Sequence, residues 1–528
     1  MARTIGTRWD ASVARGRFDA VVVGSGIGGL AAAATLARRA AKRVLVLERH
    51  STAGGLTHTF ERAGYEWDVG LHYVGQMGDP ARPTRRVFDF VTGGAVSWAP
   101  LPDVYDRIHI GGEAFDLVAG KERFLASLGA RFPSERRGLE RYLQAVRACV
   151  RAATAYWPAR AMPPWLAGTL GAVLRSGLER HARRTTAQVL ADTIRDPLLR
   201  AVLAGQYGDY GLPPGRSSFA AHAAVVAHYL GGAWYPVGGS SRIAAAAVPV
   251  IEAAGGRVMV SAEVERIHVE AGRAAGVRMA DGTIVRAPVV ASDAGWAITA
   301  GSLVPEEWRA AFPKLEGIPP SPGHLALYVG LRATDAELGL DGTNVWSYQD
   351  ADLDGAFDRF EADPDAPFPG VYLSFPSAKD PSCASRMPGR ATVEAITIAP
   401  WAHWSRWEDT RWRRRGDDYE ARKARMAERL LEALLAERPR LRGRVDHVEL
   451  STPLSSRHFA GHPRGVAYGL AAVPRRFTHG PPLRTPLPGL FLAGQDAGML
   501  GVTGSLFGGV LAAAAILRED TVTAILKG

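Results

Sequence analysis

The stretch from Phe18 to Gly55, FDAVVVGSGIGGLAAAATLARRAAKRVLVLERHSTAGG, constrains the fold more than any other part of the chain. The apolar run Asp19 to Val23 predicts a buried parallel strand, because strands covered on both faces are continuously apolar rather than alternating. Gly24, Gly26 and Gly29 follow at once, with Gly28 beside the last of them. Gly24 permits a tight turn, Gly26 lets backbone N–H groups approach a ligand, and Gly29 lets the next helix pack close to the sheet. That helix is rich in alanine, and its N-terminus is a ready anion site for a pyrophosphate. A second strand, Arg43 to Leu47, ends in Glu48, 24 positions after Gly24. A carboxylate there accepts both ribose hydroxyls and repels a 2′-phosphate, so the adenosine of FAD or NAD is expected rather than that of NADP. A lone G-x-G-x-x-G is a weak signal; the strand before it, the helix after it and the distant acid make it specific.

After Glu48 come Arg49, His50, Ser51, Thr52, Ala53, Gly54, Gly55 and Leu56. A Gly-Gly pair at this offset looks like the flavoprotein extension of the fingerprint rather than a dehydrogenase. Far along the chain, LPGLFLAGQDAGMLGVTGSLFGGVLAAAAIL (Leu487 to Leu517) has the shape of a second flavin element. Its strand, Leu490 to Ala493, delivers Gly494 and Asp496, and the carboxylate is expected on the ribityl chain. Gly498, Gly501 and Gly504, with Val502 among them, open an Ala-rich helix whose N-terminus is expected under the flavin pyrimidine edge, stabilising charge on the reduced ring. The expected cofactor is FAD, and Val264, on a later β-rich segment, completes the candidate binding residues.

At 528 residues the chain exceeds what one core serves, and two domains are expected. Apolar and charged contents of 47% and 22% are ordinary for a globular protein. A net charge of +10 suits contact with acidic surfaces, but no basic block is long enough to point to nucleic acid. Cys149 and Cys383 are the only cysteines, so neither a disulfide framework nor a cysteine metal site is indicated, and a reducing cytoplasmic setting fits. The N-terminal residues show no apolar core of a secretory signal, and no segment reaches the roughly 20 apolar residues of a membrane span. Tyr156 to Arg184 combines Trp157, Trp165, Leu170, Val173 and Leu174 with Arg180, His181, Arg183 and Arg184. It reads either as an interfacial helix, giving peripheral membrane contact, or as a substrate-domain helix with a solvated basic end.

One domain is interrupted by another. From about Gly78 to Trp234 the βα alternation is lost. Short strands then follow at Arg257 to Val260, Glu263 to Val269, Ala275 to Met279 and Ile284 to Arg286, with Asp281-Gly282 as a hairpin turn, and Pro288 to Ser292 is a further strand. A helix is expected at Tyr419 to Glu437, on the spacing of Met426, Leu430, Leu431, Leu434 and Leu435. The predicted fold class is α/β: a Rossmann-like FAD-binding domain of parallel sheet plus β-meander (17–77, 236–315 and 445–528), carrying an inserted mixed α+β substrate domain (78–235 and 316–444).

GYEWDVGLHYVG (Gly64 to Gly75), AWYPVGGSSRIAAAAVPVIEAAGGRV (Ala233 to Val258) and STPLSSRHFAGHPRGVAYGL (Ser451 to Leu470) add to the two flavin elements. Together they resemble the carotenoid and retinoid branch of the FAD-dependent oxidoreductases: phytoene desaturases, carotenoid cis-trans isomerases and retinol saturases. The GLHYVG and GQD strings are closer to saturases and isomerases. The resemblance covers most of the flavin domain and implies a long apolar channel ending at the isoalloxazine.

It also implies an apolar small-molecule substrate, a polyene or isoprenoid whose double bond is reduced or isomerised, with phytoene-type desaturation as the alternative. Amine oxidases and protoporphyrinogen oxidases share both glycine elements but need other polar groups. Prenyl-binding escort proteins resemble the fold without using a flavin, and the intact glycines, Glu48 and Asp496 argue against them. No second glycine-rich unit for a nicotinamide is present, so an external electron donor or acceptor is expected. His72 and Tyr73 are the candidate catalytic residues near the ring; a hydrogen-bonded structural role is the alternative for His72. Tyr235 is a candidate for lining the cavity. His222 and His228, six apart on a helical stretch from Ser218 to Leu230, do not form a metal pair on one face. Trp401, Trp404, Trp407 and Trp412 read as channel lining or core, and Arg411 to Arg415 as a solvated face.

Overall fold

In the computed structural model, which describes residues 4–527, the glycine-rich stretch forms the strand Ala20–Val23, a turn at Gly24, the helix Ile27–Ala40 and the strand Val44–Leu47. These two strands lie at the centre of a six-stranded sheet in the order Thr7–Arg8, Arg257–Val260, Val44–Leu47, Ala20–Val23, Val290–Ser292, Leu490–Leu492, all parallel. Both central strands are buried throughout. Val22 and Val46 belong to the core shared with the helices Ile27–Ala40, Ser241–Glu252 and Gly501–Leu517. Val21, Val23, Leu45 and Leu47 belong to a second core that takes in Ile267, Val277 and Val285 of the antiparallel meander Val264–Glu270, Arg273–Met279 and Ile284–Arg286. Cover on both faces is why the strands read as unbroken apolar runs. The meander turns at Asp281-Gly282, where Gly282 has φ 85°.

A seven-stranded mixed sheet makes the second part, in the order Val445–Ser451, Gly323–Leu331, Ala391–Ala399, Val371–Ser374, Asn344–Tyr348, Val104–Ile110, Glu113–Val118. Only Asn344–Tyr348 and Val104–Ile110 run parallel, a pairing that joins chain segments more than 230 residues apart. The helix Asp417–Glu437 packs Met426, Leu430, Leu434 and Leu435 onto one face, with Trp404, Trp407 and Tyr419. The sequence places the domain boundary at 444, yet Val445–Ser451 pairs with Gly323–Leu331 along its length, so this sheet continues to Ser451. The tryptophan group divides: Trp404 and Trp407 are core, whereas Trp412 stacks on His458 and lines the main cavity. Arg415 is not part of a solvated face; it is buried and donates to the carbonyls of Thr410 and Leu454. Both cysteines are buried and unpaired.

Candidate active site

A cavity of about 1950 Å³ follows the crevice at the C-terminal ends of the parallel strands, where open α/β sheets bind their ligands. It is larger than the roughly 300–1,000 Å³ of an ordinary small-molecule site. Gly24, Gly26, Glu48, Arg49, Gly54, Gly55, Leu56, Val264, Gly501 and Val502 all line it. These ten candidates come from four separate stretches of sequence. The second part of the molecule adds Tyr328, Trp412, Phe459 and Tyr468 to the same wall.

The glycine loop is shaped for an extended anionic ligand. Gly24 has φ 95° and Gly54 has φ 125°, both in the region that favours glycine. A Cβ on Gly55 would lie 2.8 Å from Gly26 Cα, where the two loops bridge each other. Gly26 caps the helix Ile27–Ala40 beside the cavity with no side-chain hydrogen bond of its own, and of the first-turn N–H groups that of Gly29 is given to the Asp293 carboxyl. A pyrophosphate fits such a helix end. Glu48 Oε2 accepts from Ser25 N–H at 2.9 Å and from Ser25 Oγ–H at 2.8 Å, and Oε1 accepts from His50 N–H at 2.8 Å.

Five other candidates stand off the cavity wall. Gly28, Gly29, Gly494 and Gly504 let backbones close on one another: a Cβ on Gly28 would fall 2.8 Å from Gly494 N, and one on Gly29 or Gly504 would strike the carbonyl oxygen of Gly24 or Met499. The two flavin elements of the sequence are thus pressed together at their glycines. Asp496 is 3% exposed; its carboxylate accepts from Trp296 N–H at 2.8 Å and Leu470 N–H at 3.0 Å, with the Arg476 guanidinium at 3.8 Å. Its neighbour Gln495, not Asp496, lies on the wall.

Asp293 was not among the sequence candidates, yet it is central. It follows the strand Val290–Ser292, adjacent to the strand that delivers the glycine loop, and it lines the cavity. A Cβ on Gly26 would lie 2.5 Å from Asp293 Oδ2. Burial raises its carboxyl to about 7 despite the Gly29 N–H donated to it, and the charges of Glu48 and Asp496 add to the rise. The signal in the sequence was an acid at the end of a strand next to the glycine loop.

His72 and Tyr73 follow Val69 and Gly70, which line the cavity, but are not on its wall themselves. His72 Nδ1 lies 2.8 Å from Glu394 Oε2, at an angle that makes no hydrogen bond. Tyr73 is 5% exposed and stacks on Tyr229, with ring centroids 4.2 Å apart. Tyr235 is buried away from the cavity and hydrogen-bonds Asp68, whose carboxyl burial raises to about 6. His222 is held between the hydroxyls of Tyr142 at 2.7 Å and Tyr210 at 3.1 Å, and burial lowers it to about 3. His228 Nε2 accepts from Gly75 N–H at 2.7 Å; burial lowers it to about 4.

The NAD(P)-binding Rossmann-like domain matches residues 22–91. Among solved structures, wild-type putrescine oxidase bound to putrescine superposes with a TM-score of 0.61 at 16% identity, covering 95% of this chain and 99% of that one, which establishes the fold alone. Prolycopene isomerase from Arabidopsis thaliana is 27% identical over 94% of this chain and 82% of its own length. All-trans-retinol 13,14-reductase from Danio rerio is 34% identical over 95% of this chain and 86% of its own. With the glycine loop, the crevice and these relatives together, the cofactor is a flavin or a dinucleotide, and the chain belongs to the all-trans-retinol 13,14-reductase family of oxidoreductases.

Proposed function

We propose that the protein is an FAD-dependent enzyme that saturates a carbon–carbon double bond of an apolar polyene or isoprenoid. The observation that carries this reading is one continuous cavity, which joins the nucleotide loop at Glu48 and Gly26 to a region walled by Tyr328, Phe459 and Tyr468. FAD, when bound, supplies hydride transfer. The glycine loop and the N-terminus of Ile27–Ala40 would hold its pyrophosphate, Glu48 would take its ribose, and Gly501 and Val502 would lie on the side of its ring. The aromatic walls orient an apolar chain and exclude water, which strengthens the electrostatic interactions within the site. Reducing equivalents come from an outside donor.

The test is anaerobic incubation of the chemically reduced protein with a panel of retinoids and carotenoids, following flavin absorbance and product mass together. Flavin reoxidation with a product gain of one H₂ is expected. A geometric change at constant mass with the flavin still reduced would make it an isomerase, the activity named for the Arabidopsis relative. No reaction with any polyene would overturn the reading.

The same reading includes peripheral contact with an anionic membrane, from which an apolar substrate is drawn. Trp165, Leu170 and Val173 are 78%, 47% and 69% exposed on consecutive short helices, and Arg180 and Arg183 follow on the exposed side. Apolar anchors beside basic residues suit a headgroup boundary. Co-sedimentation with phosphatidylglycerol-containing vesicles is expected and is lost in the Trp165→Ser, Val173→Glu double variant; equal sedimentation of both proteins would exclude this surface.

A further inference from the structure

Tyr328 and Tyr468 both stand on the cavity wall, and the protein satisfies the hydroxyl of only one of them. Tyr468 donates from its hydroxyl to the carbonyl of Gly208 at 3.1 Å. Tyr328 is 5% exposed, and its hydroxyl has no hydrogen-bond partner among the described residues. The oxygen is not sealed into the packing, as the unpartnered indole nitrogens of Trp98 and Trp346 are, so the surface it keeps opens on the cavity. A phenol buried to this degree ordinarily finds a partner, because a hydroxyl withdrawn from water without one is destabilising.

Packing fixes the direction of that hydroxyl. Tyr328 lies on the strand Gly323–Leu331, directly opposite Glu394 on one neighbouring strand and Glu449 on the other, so the three side chains share one face of the second sheet. Glu449 also lines the cavity. Phe60 meets the Tyr328 ring edge-on with centroids 4.8 Å apart, and the Trp67 ring lies at 6.0 Å. With Tyr65 and Ala326 they form a small core of their own, which holds the phenol in one orientation.

The electrostatics select what the hydroxyl can meet. Burial and the charges of Glu394, Glu449 and Asp68 raise Tyr328 well above its ordinary value, so it stays a neutral phenol with a proton to donate. The same three acids oppose an anion at this point. Nearby cations are already engaged by them: Arg62 lies 3.5 Å from Glu449, and Lys379 feels the charge of Glu394. A neutral oxygen is the acceptor this wall suits.

The residues fitted to a dinucleotide, Gly24, Gly26, Glu48, Gly501 and Val502, all come from the nucleotide half, whereas Tyr328 comes from the second sheet. We infer that the Tyr328 hydroxyl is the polar anchor of the substrate: it donates to a neutral oxygen, an alcohol or a carbonyl, at one end of an otherwise apolar polyene, and so sets which way the chain lies in the cavity. This rests on the reading of the chain as a polyene-saturating flavoenzyme. A few placed polar groups fix orientation in small-molecule sites. A hydrocarbon would leave the hydroxyl unpaired, and a carboxylate would face Glu394, Glu449 and Asp68.

The test needs no turnover. FAD-loaded, oxidised protein is titrated with polyenes of one isoprenoid skeleton, namely retinol, retinal, retinoic acid and the hydrocarbon that ends in a methyl group, with flavin absorbance reporting binding. The wild type should hold the alcohol and the aldehyde about three- to tenfold more tightly than the hydrocarbon, the range of one hydrogen bond, and the acid more weakly than either. Tyr328→Phe, which keeps the ring, should bring the alcohol and aldehyde to the level of the hydrocarbon with FAD affinity and thermal midpoint unchanged. A wild type that binds the hydrocarbon as tightly as the alcohol, or the acid most tightly of all, would overturn the inference without recourse to a variant. A Tyr328→Phe protein that keeps the preference, or that loses FAD instead, would do the same. Saturation of polar-ended and hydrocarbon polyenes bound with equal affinity would sink the inference and leave the proposed function standing. Tyr328-dependent binding of the alcohol with no polyene ever saturated would sink the function and leave the anchor.

Discussion

Glu48 and Ser25 are joined twice, through the Ser25 N–H and the Ser25 hydroxyl, both on Glu48 Oε2. The acid expected to hold a ribose therefore also holds the glycine loop in shape. Glu48→Ala should weaken FAD retention, and it should also lower the thermal midpoint, because it strands the buried donors of Ser25, at about 1–3 kcal/mol, and removes the acceptor of the partly buried His50 N–H. Apoprotein titration with FAD beside a thermal melt checks both; tight binding at unchanged stability would contradict the pair of roles.

Asp293 stands against Gly26, where a diphosphate is expected, and an ionised carboxylate there would repel it. With its carboxyl raised to about 7, Asp293 is mostly neutral below that pH and charged above it. FAD affinity in the wild type should fall as pH rises from 6 to 8, and Asp293→Asn should bind tightly at both values. A pH-independent wild type would remove the carboxylate from the diphosphate site.

Asp106 bears on stability in the same sense. In the folded protein it keeps its proton from the ordinary value of 3.8 up to about 7, a range in which the unfolded chain has released it. The folded state binds more protons there, so stability falls as pH rises through that window. Asp106→Asn should flatten the slope of unfolding free energy against pH between those limits, measured by denaturant titration. An unchanged slope would mean that Asp106 ionises as in the unfolded chain.

Gly28 marks where the two ends of the sequence meet. A Cβ there would lie 2.6 Å from Asp293 Oδ1 and 2.8 Å from Gly494 N, and backbone yields less readily than the end of a flexible side chain. Gly28→Ala should destabilise by about 1–3 kcal/mol, the usual range for overpacking, and release flavin. A wild-type denaturation midpoint in that variant would show that the helices slide apart at no cost.

The nucleotide half was legible because each of its signals is local. Ala20–Val23, Gly24 and Ile27–Ala40 follow one another within a few residues, and an apolar run, a positive-φ glycine and an alanine helix each leave their own mark. The meander was legible for the same reason, down to the Asp281-Gly282 turn. Asp496 shows where this reasoning stops: the sequence marks a carboxylate beside a glycine-rich helix, and only the fold brings the backbone N–H groups of Trp296 and Leu470, 200 and 26 residues away, onto its two oxygens.

The sequence alone determined a parallel nucleotide sheet, its glycine loop, the acid at 48 and the family. Only the tertiary structure decided that Asp293 stands at the loop, that Val445–Ser451 belongs to the second sheet, and that the Tyr73 hydroxyl lies between Asp106 and Asp209. Those relationships join segments tens to hundreds of residues apart, and the desolvation that raises their carboxyls exists only once both faces of a sheet have closed over them.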